Sequence, residues 1–367
     1  MLPYFSEVFG NAASKSHSFG WRAEEAVDHG RRKIASAIGA QSKEIVFTSG
    51  ATESNNLAIL GVARMFAEKG QHVITAATEH KAVLDPCHEL ERLGYRITIL
   101  PVDRFGRVSP DDVEKSIEPG TILISLMTAN NEIGTFHPIA DIGKIAKKHG
   151  ILFHTDAAQA IGKTPFDVGK LGVDLVSISA HKLYGPKGVG ALYIRSRSPR
   201  VRLHPVVFGG GHERGFRPGT LNVPGAAGFG KAVEIAAKDP ADESKRILLL
   251  RSRLHDTITQ GLPDVHLNGH PTERLPGNLN LSFERVEGEA LLMGIKDVAV
   301  SSGSACTSAS LEPSHVLRAL GVPDPLAHAS IRYGIGRFTT EAEIDFAAQA
   351  TITAVRRLRE TSPLLDS

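Results

Sequence analysis

The stretch Asp174-Leu175-Val176-Ser177-Ile178-Ser179-Ala180-His181-Lys182 opens on a short apolar run and closes on a lysine. An apolar run of this length, bounded by polar residues, reads as a buried strand over 174–179. A lysine directly after such a strand is hard to explain as packing, because an ammonium withdrawn from water needs a partner. A glycine-rich hairpin comes next, Gly185-Pro186-Lys187-Gly188-Val189-Gly190, and leads into another strand over 189–194. The hairpin is not a nucleotide-binding phosphate loop, since no Gly-Lys-Ser or Gly-Lys-Thr closes it.

Toward the N-terminus, strands are expected at 44–48, 72–75, 96–100, 122–127 and 151–155. Helical patterns over 53–68, 82–93 and 140–149 lie between them. Strands alternating with helices of that length imply crossover units and a mainly parallel sheet. The texture changes at Lys238-Asp239-Pro240. A long helix over 242–260 comes next, then a strand over 278–283, a short helix over 287–295, a polar run over 301–310 and a final helix over 341–360. The expected organisation is α/β: a large domain over 1–238 with a mainly parallel sheet, and a smaller α+β domain over 239–367.

Hydrophobic residues make up 41% of the 367, enough to bury a core of that size. Lys plus Arg total 42 against 40 for Asp plus Glu, and a net charge of +2 argues against an extended nucleic-acid surface. Two cysteines, Cys87 and Cys306, exclude a disulfide framework and suit a reducing compartment. No run approaches the roughly twenty apolar residues that cross a bilayer. Met1-Leu2-Pro3-Tyr4-Phe5 lacks the basic and apolar regions of a signal peptide, so the expected location is cytoplasmic.

Ligands of an open α/β sheet gather beyond the C-terminal ends of its strands. The first expected strand is followed by Ser49-Gly50-Ala51-Thr52, small residues opening a helix, which form either a phosphate cradle or a plain helix cap. The other strand ends carry Thr78-Glu79-His80, Asn130-Asn131, Asp156 with Gln159 a turn later, and His181-Lys182. Each is weak alone. Together they supply what pyridoxal phosphate (PLP) requires: a lysine for a Schiff base, a carboxylate for the ring nitrogen and small donors for a phosphate.

At this point the chain resembles the cysteine desulfurases, class V aminotransferase-fold PLP enzymes of the iron–sulfur and nitrogen-fixation type. The likeness rests on Ser49-Gly50-Ala51-Thr52-Glu53-Ser54-Asn55, Thr78-Glu79-His80-Lys81, Asn130-Asn131-Glu132-Ile133-Gly134 and Ser177-Ile178-Ser179-Ala180-His181-Lys182. It rests equally on Gly209-Gly210-Gly211-His212-Glu213-Arg214-Gly215 and Ser301-Ser302-Gly303-Ser304-Ala305-Cys306-Thr307. It implies the aspartate aminotransferase-like PLP-dependent transferase fold. It implies conversion of L-cysteine to L-alanine, with the sulfur carried on Cys306 as a persulfide for iron–sulfur cluster assembly or another sulfur-transfer pathway.

Residue by residue, the resemblance implies that Lys182 holds pyridoxal 5'-phosphate as a Schiff base. Asp156 pairs with the pyridine nitrogen, Gln159 approaches the phenolic oxygen, and His80 stacks on the ring and shuttles protons. Ala51, Thr52, Ser179 and His181 bind the phosphate, with Thr220 reaching across from the second subunit of a homodimer. Asn131 touches the cofactor and, with Arg332, grips the substrate carboxylate, which an arginine's planar fork meets with two hydrogen bonds. The implied partners are L-cysteine and sulfur-acceptor proteins such as an iron–sulfur scaffold, with no nucleic acid and no membrane. No intrinsic metal is implied, although Cys306 could transiently ligate an iron–sulfur cluster.

The neighbours of Cys306 support the reactive reading. No bulky apolar residue occurs from Ser301 to Ser310, so the run is expected to form an accessible loop rather than core. Cys87, in a helical pattern, is expected to be structural. The family carries an N-terminal segment lining the substrate pocket, which Met1 falls after, and housekeeping members carry a C-terminal tail that docks a scaffold. Substrate binding and scaffold docking are the properties tied to those segments. A selenocysteine lyase, or another PLP lyase on the same fold, is the nearest rival. A truncated, catalytically impaired interaction protein is the rival from another class, and absence of the cofactor's visible absorbance distinguishes it.

Overall fold

The computed structural model describes residues 1–238, 240–302 and 312–361. They divide into two compact units: 1–100, 108–128 and 137–240 form the first, and 101–107, 129–136 and 241–367 the second. Segments 101–107 and 129–136, which the sequence places in the large domain, thus group with the C-terminal unit.

The first unit is built on strands β1 (Ile45–Thr48), β2 (His72–Ala76), β3 (Arg96–Leu100), β4 (Thr121–Ser125), β5 (Leu152–Asp156), β6 (Leu175–Ser179) and β7 (Gly190–Ile194). Its principal helices are α1 (Ser18–Ala37), α2 (Ala51–Phe66), α3 (Lys81–Arg92), α4 (Ile139–His149) and α5 (Val223–Ala236). The seven-stranded sheet has the order β1-β7-β6-β5-β4-β2-β3. Strands β3, β2, β4, β5 and β6 pair in parallel, while β7 lies antiparallel between β6 and β1. The parallel series breaks at β7 because the hairpin before it is too short for a crossover, which takes a dozen or more residues. Strands β2, β6 and β7 are buried along their whole length, as strands covered on both faces are.

Helix α1 was not foreseen. Its buried face includes small residues such as Ala23, Ala26 and Gly30, so few large apolar side chains mark it along the chain. It packs against α5 and carries Arg31, whose guanidinium meets the Glu213 carboxylate with two hydrogen bonds of 2.7 and 2.8 Å. The Glu213 carboxylate also accepts from the Phe47 N–H at 2.6 Å, and Arg31 donates to the Ile45 carbonyl. Glu213 and Arg214 both adopt left-handed backbone, φ 47° and 58°, which side chains other than glycine rarely take. The buried ion pair holds that strained turn. Removing one partner of such a pair leaves an uncompensated charge, so Glu213→Ala is expected to cost about 3–5 kcal/mol, measurable by urea denaturation.

The second unit has an antiparallel sheet of order β10-β11-β9-β8, with β8 (Val265–Leu267), β9 (Asn278–Phe283), β10 (Ser301–Ser302) and β11 (Ser330–Gly334). Helices α6 (Pro240–Gly261), α7 (Gly288–Gly294) and α8 (Glu341–Thr361) accompany it. Leu254, Ile258, Leu281, Phe283, Ile331 and Val355 lie in one core cluster. Segment 129–136 joins through the Phe136 N–H to Glu273 O, the Leu275 N–H to Gly134 O and Asn278 Nδ2 to Glu132 O.

Candidate active site

In the first unit, β1, β2, β4, β5 and β6 all end at the same edge of the sheet, because β1 is antiparallel to a strand that is itself antiparallel to β6. The residues at or shortly past those ends include Gly50–Thr52, His80, Asp156 and Ala180–Lys182. Strand ends of one direction therefore place Thr52, His80, Asp156 and Lys182 along one edge of the sheet.

Asp156 closes β5 and is buried. Its two carboxylate oxygens each accept one N–H: Oδ2 from Asn55 Nδ2 at 2.7 Å, and Oδ1 from the Ala158 backbone at 2.9 Å. Burial pushes this carboxyl above its ordinary range, and the donors Asn55 and Ala158 with the charges of His80 and Lys182 pull it back. Carboxylate oxygens accept more than one bond, so Asp156 retains capacity for a further cationic donor. Asn55, to which the sequence pattern assigns no role, sits on α2 one turn beyond Thr52. The signal was hidden, because its partner is 101 residues away.

Helix α2 begins at Ala51 after Gly50, and no side chain caps it. Its first N–H groups are thus available to an anion, favoured by the helix dipole. A side chain at Gly190 would place its Cβ 2.6 Å from Gly50 Cα, so glycine keeps β7 close beneath this turn. Ser179 Oγ lies 2.9 Å from His181 Nδ1. Burial, and then the cations of Lys182 and Lys187, hold the His181 imidazole below its usual range. A neutral ring and a hydroxyl beside an uncapped helix start, with a buried carboxylate and a lysine on the adjacent strands, fit the donor and acceptor requirements of PLP.

His80 caps α3, its Nδ1 accepting from the Ala82 N–H at 3.0 Å. That bond commits Nδ1 as an acceptor, so the neutral ring carries its proton on Nε2. Gln159 lies in a turn after β5, and its Oε1 accepts from Lys163 Nζ at 3.0 Å, leaving its amide N–H pair to face elsewhere. Thr220 is exposed between Arg217, which pairs with Glu53 at 2.8 Å, and Asn222, whose side chain caps α5. Cys87 is buried in a core cluster, and burial with the Glu79 and Glu91 charges pushes its thiol up to about 12, so it is inert at neutral pH.

In the second unit, Arg332 stands in the middle of β11, and its Nη1 donates to the Asn131 carbonyl at 2.8 Å. These two expected substrate-binding residues are 201 positions apart and are brought together here. Strand β11 itself was missed: Ser330–Gly334 is short and its burial does not alternate cleanly. Cys306 lies outside the described residues. Among the described residues no group of His, Cys, Asp and Glu is arranged to hold a metal, and no helix is long and apolar enough to cross a membrane.

The profile of the class V aminotransferases matches residues 1–346. The chain belongs to that family, whose members use pyridoxal phosphate. It is 60% identical over 366 residues to a protein of Anaeromyxobacter sp. (strain Fw109-5) named cysteine desulfurase IscS, covering 100% of this chain and 90% of that one. It is 56% identical over 364 residues to the cysteine desulfurase of Mus musculus, covering 99% and 79%. Within the family the chain therefore stands among the cysteine desulfurases. Among solved structures, one named NifS-like protein superposes with a TM-score of 0.90 at 37% identity, covering 97% of this chain and 94% of that one. Another, SspA in complex with cysteine, gives 0.81 at 38% identity, covering 92% and 94%.

Proposed function

We propose that this protein is a PLP-dependent cysteine desulfurase that converts L-cysteine to L-alanine and carries the released sulfur on Cys306 as a persulfide. The observation that carries the reading is the buried Asp156 carboxylate, held by two N–H donors on the strand next to the one that delivers Lys182. Bound PLP supplies a carbonyl carbon that captures amines and a ring that accepts an electron pair.

The chain's own residues supply the rest. The Lys182 amine holds the cofactor at rest and, once released by cysteine, takes the Cα proton as general base. Asp156 keeps a proton on the ring nitrogen, so the pair left at Cα has somewhere to go. Thr52, Ser179, His181 and the N–H groups from Ala51 onward hold the phosphate, with Thr220 of a second copy completing the cradle. Gln159 directs its amide to the phenolic oxygen, and His80 covers the ring and moves a proton through Nε2. Asn131 and Arg332 orient the substrate carboxylate.

The Cys306 thiolate then attacks the substrate sulfur. The Cβ–S bond breaks, an S–S bond forms, and the electron pair left on Cβ takes a proton; Lys182 then returns a proton to Cα and recaptures the cofactor, which releases alanine. The reading includes a homodimer in a reducing cytoplasm, with a sulfur-acceptor protein such as an iron–sulfur scaffold as partner.

The test is a stoichiometric assay with the purified holoenzyme. One alanine per cysteine consumed is expected, with one sulfur recovered on Cys306 before reductant is added. Alanine without sulfur on the protein, or activity confined to selenocysteine, overturns the assignment.

A further inference from the structure

The region between β2 and β4 contains a contact that the proposed chemistry does not use. Strand β2 connects onward to β3 and strand β4 to β5, and these lie in opposite directions along the sheet. Crossovers of one hand leaving in opposite directions pass to opposite faces, which opens a crevice at this switch point. The two strands pair in register only as far as Ile74 and Ile124, with Thr75 Oγ1 donating to the Ser125 carbonyl just beyond. The chain after β4 nevertheless continues straight, because the Leu126 N–H donates to His154 O at 3.1 Å and the Thr128 N–H to Asp156 O at 2.9 Å.

Alternation along an extended chain turns the intervening Met127 N–H the other way, toward the side where β2 has already ended. A buried N–H without a partner is costly. Here the partner is a side chain: Glu79 Oε1 accepts from Met127 N at 2.6 Å. Glu79 is fully buried and sits in a turn closed by its own N–H to Ala76 O. The next residue is His80, the cap of α3.

We propose that Glu79 is a positioning residue whose carboxyl takes the place of β2 beside Met127, and so fixes the turn presenting His80 relative to Asp156. The proposal rests on the reading that His80 and Asp156 both serve the cofactor. A continuous path supports it: His80 is bonded in sequence to Glu79, Glu79 to the Met127 N–H, and the residue after Met127 to the Asp156 carbonyl.

The charge state is set by the surroundings. Burial drives the Glu79 carboxyl well above its ordinary range, the Met127 N–H opposes this, and the Asp156 charge reinforces it. Asp156, raised by its own burial, is drawn back by two N–H donors and the charges of His80 and Lys182. At the Met127 N–H the Glu79 carboxyl acts as an oxygen acceptor, a task an amide performs equally well.

The test compares Glu79→Gln with Glu79→Ala, each alone and on a His80→Ala background. Expected for Glu79→Ala is a fall in kcat of about tenfold or more with KM for cysteine nearly unchanged. Glu79→Gln should rescue turnover to within about threefold of the unmodified enzyme. On the His80→Ala background, Glu79→Ala should cost no further factor in kcat, whereas a merely structural role costs the same factor in both backgrounds. In the cofactor-free protein, amide exchange at Met127 should quicken about tenfold or more in Glu79→Ala and stay slow in Glu79→Gln. If Glu79→Ala does not fold, the Gln variant decides through its turnover and the Met127 exchange rate.

A Gln variant as impaired as the Ala variant, equal losses in both backgrounds, or unchanged exchange at Met127 overturns the proposal. An unmodified enzyme that makes no alanine is a separate outcome. It removes the functional reading and leaves the exchange measurement to judge the clamp.

Discussion

Lys182→Ala is expected to lower kcat by at least about 10⁴-fold, the upper range for loss of a general base, because the same amine also holds the cofactor. Borohydride reduction of the unmodified protein should attach the cofactor to the chain, and reduction of the variant should attach none. The physical ground lies in the first unit. Lys182 comes after β6 in a short turn, Ala180–Leu183, that ends on Tyr184 in left-handed backbone, so the lysine is set beside the strand end rather than carried off by a helix. Ser179 and His181 on either side are tied to each other at 2.9 Å. The phosphate cradle therefore does not depend on the lysine, and the variant should still bind the cofactor reversibly. A variant that keeps a tenth of the turnover would remove Lys182 from the mechanism.

Cys306→Ser has the second largest expected effect. A hydroxyl is far less nucleophilic toward sulfur than a thiolate, so persulfide formation should fall below detection while cofactor content and its visible spectrum stay those of the unmodified enzyme. The contrast between the two variants separates the two halves of the reaction: Lys182→Ala stops it before any carbon chemistry, whereas Cys306→Ser stops it at sulfur transfer. Cys87 cannot take over, since it is buried and its thiol is held up to about 12. Mass spectrometry of the protein after a single addition of cysteine measures the outcome directly. Undiminished desulfuration by Cys306→Ser would falsify the persulfide assignment.

The strands of the large sheet were legible because each is a short apolar run separated from the next by a helical pattern, and that periodicity is local. The residues just beyond β2, β5 and β6 were legible for the same reason, since locating a strand end also locates its immediate neighbours in the chain. The direction of β7 is dictated by the length of the connection before it, which the apolar pattern of the strand itself does not encode. Helix α1 and strand β11 escaped, one through its small apolar face and the other through its brevity. Arg332 was found by resemblance and not by pattern, since the strand carrying it was not recognised.

The chain alone determined the order of the elements, the lysine, acid, histidine and small donors placed after the strands, and the family that this set identifies. Tertiary structure decided how those groups are supported. It set Asn55 on Asp156, Glu79 on Met127, Arg31 on Glu213 and Arg332 on Asn131, across 101, 48, 182 and 201 residues of sequence. Hydropathy and turn chemistry act between near neighbours and can be read along the chain. The desolvation of a carboxyl and the N–H that relieves it are set by distance in space, which no local pattern encodes.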